Sequence, residues 1–303
     1  MVSNIFNAYL SNIVNKRVIF VTGATGLLGS TLVPLLRGYG NTVVTHARSA
    51  NADFLADLAN KSEAFAMLDS VRPECIINLV GLTSVERCEI FPNEAYLVNT
   101  KVVENLVQWI SESNSNSHLV QISTDHVYDG MRLNTENQVA LKNYYAFSKY
   151  AGELAATQVP STILRTNFIG RSKAINRESL TDWVYNSLTS GKNIQVLNDV
   201  FFDPLSMDTL AELIQFVIER KAVGIFNLGS HNGMSKADLD FTFAECLGLP
   251  TSGMTLVDSS KAKFLQAYRP KDMRMDCSRF ENTFDLKLPR LSDEIEKVAK
   301  EYL

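Results

Sequence analysis

The 303-residue sequence holds only four cysteines, Cys75, Cys88, Cys246 and Cys277. They form no C-x-x-C pair, and none stands beside a histidine at metal-ligand spacing. Neither a disulfide scaffold nor a bound metal is expected, and the four are read as reduced core residues. No apolar run approaches the length a membrane-spanning helix requires. The opening segment MVSNIFNAYLSNIVNKR lacks a basic stretch followed by an apolar one, so it is not read as a signal peptide. A basic excess is missing too: 29 Lys and Arg stand against 33 Asp and Glu, a net charge of −4. Without a Lys/Arg cluster, no nucleic-acid partner is expected. Glycine and proline together make up 23 of 303 residues, which excludes collagen-like and low-complexity chains. What remains is 46% hydrophobic and 20% charged, and long enough to bury its core without metal or disulfide. These features predict a soluble cytoplasmic protein with no membrane contact.

Strand-like and helix-like segments alternate through the first 170 residues. RVIFV from Arg17, NTVVTHAR, CIINLVG, HLVQIST and STILRTNFIG are short apolar runs of the kind buried on both faces. Between them, LLGSTLVPLLRGYG, Lys61 to Val71, EAYLVNTKVVENLVQWISES and NYYAFSKYAGELAATQ carry helical spacing. Strands joined by crossover helices run parallel, so the fold class is α/β with a Rossmann-type doubly wound sheet. Beyond residue 170 the alternation loosens. ESLTDWVYNSLTSG and SMDTLAELIQFVIERK read as helices, IQVLNDVFFDPL as a hairpin or extended loop, and GIFNLGS as a strand. MSKADLDFTFAECLGL reads as a helix capped by Ser235, and SDEIEKVAKEYL as a terminal helix capped by Ser292. Residues 1–170 are expected to form the nucleotide-binding domain, with 204–230 returning to it. Residues 171–203 and 231–303 are expected mainly to form a smaller substrate-binding domain.

Gly23, Gly26 and Gly29 sit in G-A-T-G-L-L-G at the first strand-to-helix junction. There one glycine permits the tight turn, another lets the backbone approach a pyrophosphate, and a third lets helix pack on strand. Free N–H groups at Thr25, Leu27 and Leu28, where the helix begins, would face the phosphates. The second strand ends at His46-Ala47-Arg48-Ser49, with no acid to hold a ribose 2′-hydroxyl. Arg48 can pair with a 2′-phosphate, so NADP(H) is preferred and NAD(H) is the alternative.

Tyr145 and Lys149 form Y-x-x-x-K on a helical segment. Residues four apart share a face, and a nearby ammonium is expected to lower the phenol pKa toward a useful range. The adjacent Tyr144 points about 100° away around the helix. Ser123 and Thr124 close the fourth strand, at the end where parallel sheets bind ligands, and either hydroxyl could bond a reacting carbonyl. His126 shows no partner in the sequence and is read as structural. Asp125 and Asp129 flank a turn and are expected to cap nearby N–H groups.

The glycine spacing G-x-x-G-x-x-G resembles that of the extended short-chain dehydrogenase/reductase family, and Y-x-x-x-K falls about 120 residues on, where that family places it. STDHVYDG and YYAFSKYAGE resemble the dTDP-4-dehydrorhamnose reductase branch. LRTNFIG, DPLSMDTLAELI, GIFNLG and YRPKDMRMD follow the order of that branch's later landmarks. The resemblance implies an NADPH-dependent reductase of a 4-keto-6-deoxy sugar carried on a nucleoside diphosphate. It assigns Thr124 to orient the keto oxygen, Tyr145 to donate its proton and Lys149 to tune Tyr145. It also assigns Asp57 and Leu58 to the adenine end, Asn167 and Phe168 to the sugar, and Arg269 to the substrate diphosphate. Departures from the branch include Phe168 where a tryptophan is common and Met273 where a serine is frequent.

Two other readings stand beside this one. A regulatory NADP-binding subunit of the same fold resembles the methionine adenosyltransferase β-subunit. An epimerase or dehydratase would need the same three residues with tightly held NAD, but S-T-D-H lacks the acid pair that dehydratases place beside the hydroxyl residue. A homodimer is compatible with each of the three.

Overall fold

The computed structural model describes residues 17–49, 51–113 and 115–303. The opening segment read above for a leader lies outside the described residues, apart from Arg17. Seven strands build the central sheet: β1 (Val18–Thr22), β2 (Thr42–Ala47), β3 (Phe54–Leu55), β4 (Cys75–Asn78), β5 (His118–Ile122), β6 (Ser161–Thr166) and β7 (Gly224–Leu228). Their spatial order is β7-β6-β5-β4-β1-β2-β3, and every neighbouring pair runs parallel. The chain builds outward from β1 to β3, returns to the other side of β1, and continues from β4 to β7. The strand order therefore reverses between β1 and β4, which opens a crevice beyond the carboxyl ends of these strands.

Continuous apolar strands are needed because helices cover both faces. Within β1, Ile19 and Val21 enter a core shared with α1 (Leu27–Gly38), whereas Phe20 enters a core shared with α2 (Lys61–Val71) and α3 (Val102–Glu112). The helix carrying Y-x-x-x-K is α4 (Tyr144–Ala156), started by Asn143, whose side chain accepts from Ala146 N at 2.8 Å. Further along lie α5 (Leu180–Thr189), α6 (Met207–Arg220), α7 (Lys236–Cys246), α8 (Ser278–Phe284) and α9 (Leu291–Ala299). Helix α6 packs on α1, and β7 pairs with β6, so residues 207–228 lie against the sheet. Residues of α5, α7 and α9 share a separate core with Val196, Phe202 and Met273, whereas Phe280 and Phe284 of α8 belong to the first core.

Several expectations are corrected. The first strand starts at Val18, with the Arg17 side chain donating to Ile218 O at 2.6 Å. The two-residue β3 carried no periodic signal and was missed. STILRTNFIG is two strands, broken where the Asn167 side chain accepts from Phe168 N at 2.8 Å; Phe168–Ile169 then pairs with Leu205–Ser206. IQVLNDVFFDPL is no hairpin: Ile194–Leu197 pairs in parallel with Met254–Val257, and Phe201–Phe202 pairs with Met234–Ser235. Ser235 does cap α7, but α9 starts a residue before Ser292, which lies inside the helix. Of the four free cysteines, Cys75, Cys88 and Cys277 are buried, and Cys246 is exposed at the end of α7. Among the described residues no helix is long and apolar enough to cross a membrane.

Candidate active site

A cleft of about 670 Å³ occupies the crevice at the strand reversal. Gly23 forms its floor with a φ of +67°, and a Cβ there would stand 3.0 Å from the backbone of Leu79 and Val80. Only glycine takes that conformation without strain and leaves the turn seated against the chain beyond β4. A Cβ on Gly29 would come within 2.5 Å of Ala24 O, so α1 and the turn are in close contact. Gly26 is the N-cap of α1 and supplies no side-chain cap, so the first-turn N–H groups keep their positive end for a ligand. This cradle fits the pyrophosphate of a dinucleotide. Thr25, Leu27 and Leu28 line it, and Arg48, Asp57 and Leu58 line the cleft wall at the ends of β2 and β3. No carboxylate replaces Arg48 at the end of β2.

Thr124, Tyr145, Lys149, Asn167 and Phe168 line the same cleft. Residues about 100 or more positions away in sequence thus share one wall with the glycine turn. Thr124 is near enough to the Tyr145 phenol to act on its titration. Burial pushes the Tyr145 phenol above its ordinary range, Thr124 acts against this, and Asp125 and Cys88 add to it. The expected lowering by Lys149 is therefore overturned: the buried phenol holds its proton, the state a proton donor needs. Lys149 donates instead to Ile122 O at 2.7 Å. Burial draws its pKa down to about 8, with Glu153 and Cys88 opposing, so it is an ammonium at neutral pH. Tyr144 is half exposed and turned away, as the helical spacing requires.

Ser123 also lines the cleft, with its hydroxyl donating to the buried Glu153 carboxylate. Asp125 accepts from Asn167 at 2.9 Å and from Thr124 at 3.2 Å, and burial raises its pKa to about 6. Asp129 does not cap its own turn. It accepts from Lys271 N at 2.7 Å and Tyr268 OH at 3.0 Å, tying the loop to a segment 140 residues on. His126 stands edge-on to Tyr145, ring centroids 5.2 Å apart, and burial lowers its pKa to about 3. Arg269 does not line the cleft. Its guanidinium pairs with Glu86 and donates to Ala267 O at 3.1 Å, close enough to act on the titration of the cleft-lining His126.

Sequence reasoning missed the cleft-lining chain from Leu79 to Val85 and Arg177, and also Asn99, which supports that chain at Leu82. The first had a usable signal, because ligands lie beyond strand ends and this segment leaves β4. Asn99 had none. The expected long helix over residues 94–113 is interrupted by a π-helical stretch, Leu97–Lys101. That stretch sets Asn99 to accept from Leu82 N at 2.7 Å and donate to Ser148 at 2.9 Å, bridging the β4 loop to α4.

A Rossmann sheet with a Tyr-x-x-x-Lys helix along its switch-point cleft is the architecture of an extended short-chain dehydrogenase/reductase. Within that class, the chain belongs to the RmlD substrate binding domain family, which matches residues 17–303. It is 26% identical over 285 residues to the dTDP-4-dehydrorhamnose reductase of Escherichia coli K12, covering 89% of this chain and 93% of that protein. It is 27% identical over 290 residues to a Haloferax volcanii protein named "Probable low-salt glycan biosynthesis reductase", covering 91% and 95%. Among solved structures, the dTDP-4-dehydrorhamnose reductase of Bacillus anthracis in complex with NADP superposes with a TM-score of 0.86 at 22% identity, covering 94% of this chain and 99% of that one.

Proposed function

We propose that the protein reduces the 4-keto group of a nucleotide-linked 6-deoxy sugar with NADPH, in the manner of a dTDP-4-dehydrorhamnose reductase. The reading rests on one observation: Thr124, Tyr145 and Lys149 share the wall of the cleft that the glycine turn floors. The similar reductases named above support the substrate class. Bound NADPH supplies the hydride for the keto carbon. The Thr124 hydroxyl and Tyr145 phenol hold the keto oxygen, and Tyr145 gives it a proton as charge develops. Lys149 keeps a positive charge beside them and holds the ribose end of the cofactor. The cradle at Gly23, Gly26 and Gly29 receives the pyrophosphate, and Arg48 meets the 2′-phosphate. Asn167 and Phe168 border the sugar. In this reading residues 1–170 and 204–230 hold the cofactor, and 171–203 with 231–303 hold mainly the sugar nucleotide.

The test is NADPH oxidation measured against a panel of dTDP- and other nucleoside-diphosphate-linked 4-keto-6-deoxy sugars. Turnover of at least one, faster with NADPH than with NADH, is expected. NADPH binding without turnover of any 4-keto sugar nucleotide would overturn the reading in favour of a regulatory NADP-binding role.

A further inference from the structure

Two consecutive residues at the end of β5 are held by different turns of α4, beside Thr124, which lines the cleft with Tyr145. The Ile122 carbonyl accepts from Lys149 at 2.7 Å, and the Ser123 hydroxyl donates to Glu153. Tyr145, Lys149 and Glu153 are four residues apart and so lie on one helix face. The first two are absorbed by the proposed reduction; Glu153 is not. It is completely buried and pairs with the equally buried Arg165 of β6, whose Nε and Nη2 reach its oxygens at 3.0 and 2.6 Å. Arg165 Nη1 continues to Tyr128 OH and Glu136 O, each at 2.7 Å. An apolar pair of like volume would hold β6 to α4 at no loss in stability, because two desolvated charges gain little over such a replacement. Stability alone therefore gives no reason for a carboxylate at this place.

We propose that Glu153 is the positioning residue of this site: its carboxylate fixes α4 in register on the end of β5 and sets a negative charge one turn below Lys149. The inference rests on the reductase reading for its kinetic consequences, but its electrostatic part does not. The groups facing Lys149 are the Ile122 carbonyl from β5, Glu153 from its own helix, and Cys88 from the short helix Val85–Ile90. Glu153 favours the ammonium and burial opposes it. Removing the carboxylate should let Lys149 lose its proton near neutral pH.

The test uses the full chain, four variants and a Tyr145→Phe control. Glu153→Gln leaves Arg165 buried and unpaired, so the paired variant E153Q/R165Q is made beside it to keep the charge balanced. Ser123→Ala cuts only the link to β5. For S123A, kcat with dTDP-4-dehydrorhamnose should fall about tenfold with KM and NADPH affinity within twofold, the mark of misplacement rather than lost binding. For E153Q/R165Q, the alkaline limb of kcat should move down by about one pH unit. A merely structural pair would not move that limb, and E153D should restore part of it. Lysine-labelled NMR of Lys149 reads its titration without turnover, so it decides the electrostatic part even if the sugar is not a substrate. An unchanged Lys149 titration in a folded E153Q/R165Q, or wild-type kcat in S123A, would overturn the proposal. A Tyr145→Phe control that kept its turnover would instead overturn the reductase reading.

Discussion

At the residue scale, the site is decided by what burial does to two side chains. The Tyr145 phenol is pushed up and keeps its proton, while the Lys149 ammonium is drawn down to about 8 and still keeps its charge at pH 7. A neutral phenol beside a cation is arranged to give a proton to an oxygen gaining negative charge. Tyr145→Phe should lower kcat by about 10²–10⁴-fold, the worth of a positioned acid, with NADPH affinity nearly intact by fluorescence titration. Retention of most turnover would show that the proton comes from elsewhere. Arg48 is exposed at the rim, free to meet a phosphate. Arg48→Ala should weaken NADPH by about tenfold or more and leave NADH nearly unchanged, because a charge-assisted contact is lost from one cofactor only. Equal losses for both cofactors would remove the 2′-phosphate role. The residues of this site were mostly legible in the sequence, because glycines at a strand-to-helix turn and Tyr/Lys four apart on a helix are local patterns. The pairing of Arg269 with Glu86 was not, because it bridges 183 positions.

At the scale of elements, α4 is the piece whose placement matters. It is pressed on the π-helical stretch Leu97–Lys101, where a Cβ on Gly152 would stand 2.5 Å from Asn99 O. Thr100 Oγ1 adds a bond to Ser148 O at 2.8 Å. Backbone cannot yield there as a side chain would. Gly152→Ala should therefore cost about 1–3 kcal/mol in denaturant unfolding and lower kcat more than it raises KM, since α4 carries Tyr145 and Lys149. Wild-type kcat in this variant would show that the helix tolerates displacement. The helix itself was readable from its spacing, as was α2 from Lys61 to Val71. The π-helical interruption and the break at Asn167 were not, since each depends on side chains that find partners on other elements.

At the scale of the whole molecule, the second core encloses ionisable groups that couple stability to pH. Asp240 on α7 is buried with its Oδ1 unpartnered, and burial raises its pKa to about 7, with Lys236 opposing. The folded protein holds this proton up to about pH 7, whereas the unfolded chain releases it near pH 4. Folding binds a proton between those values, so this group's contribution to stability falls as pH rises from about 4 to 7. Asp240→Asn should thus gain in melting temperature over the parent at pH 8 and lose that advantage by pH 4.5. A difference independent of pH would show that Asp240 is not held neutral. The parallel sheet has the same global character: its order depends on which side of β1 the returning β4 chooses, and the cleft exists only because that side is opposite β2.

The sequence by itself determined the period of each element, the alternation that requires a parallel sheet, and the glycines and hydroxyl, phenol and ammonium groups available for chemistry. These are properties of a chain over a few residues, fixed by backbone sterics and by the burial of apolar faces. Only the tertiary structure decided how deeply Tyr145 and Lys149 are buried, and hence their protonation. It alone also decided that Glu153 serves the site and that Arg269 turns to Glu86. Those outcomes follow from desolvation and from partners brought together across long stretches of chain, neither of which has a local signal.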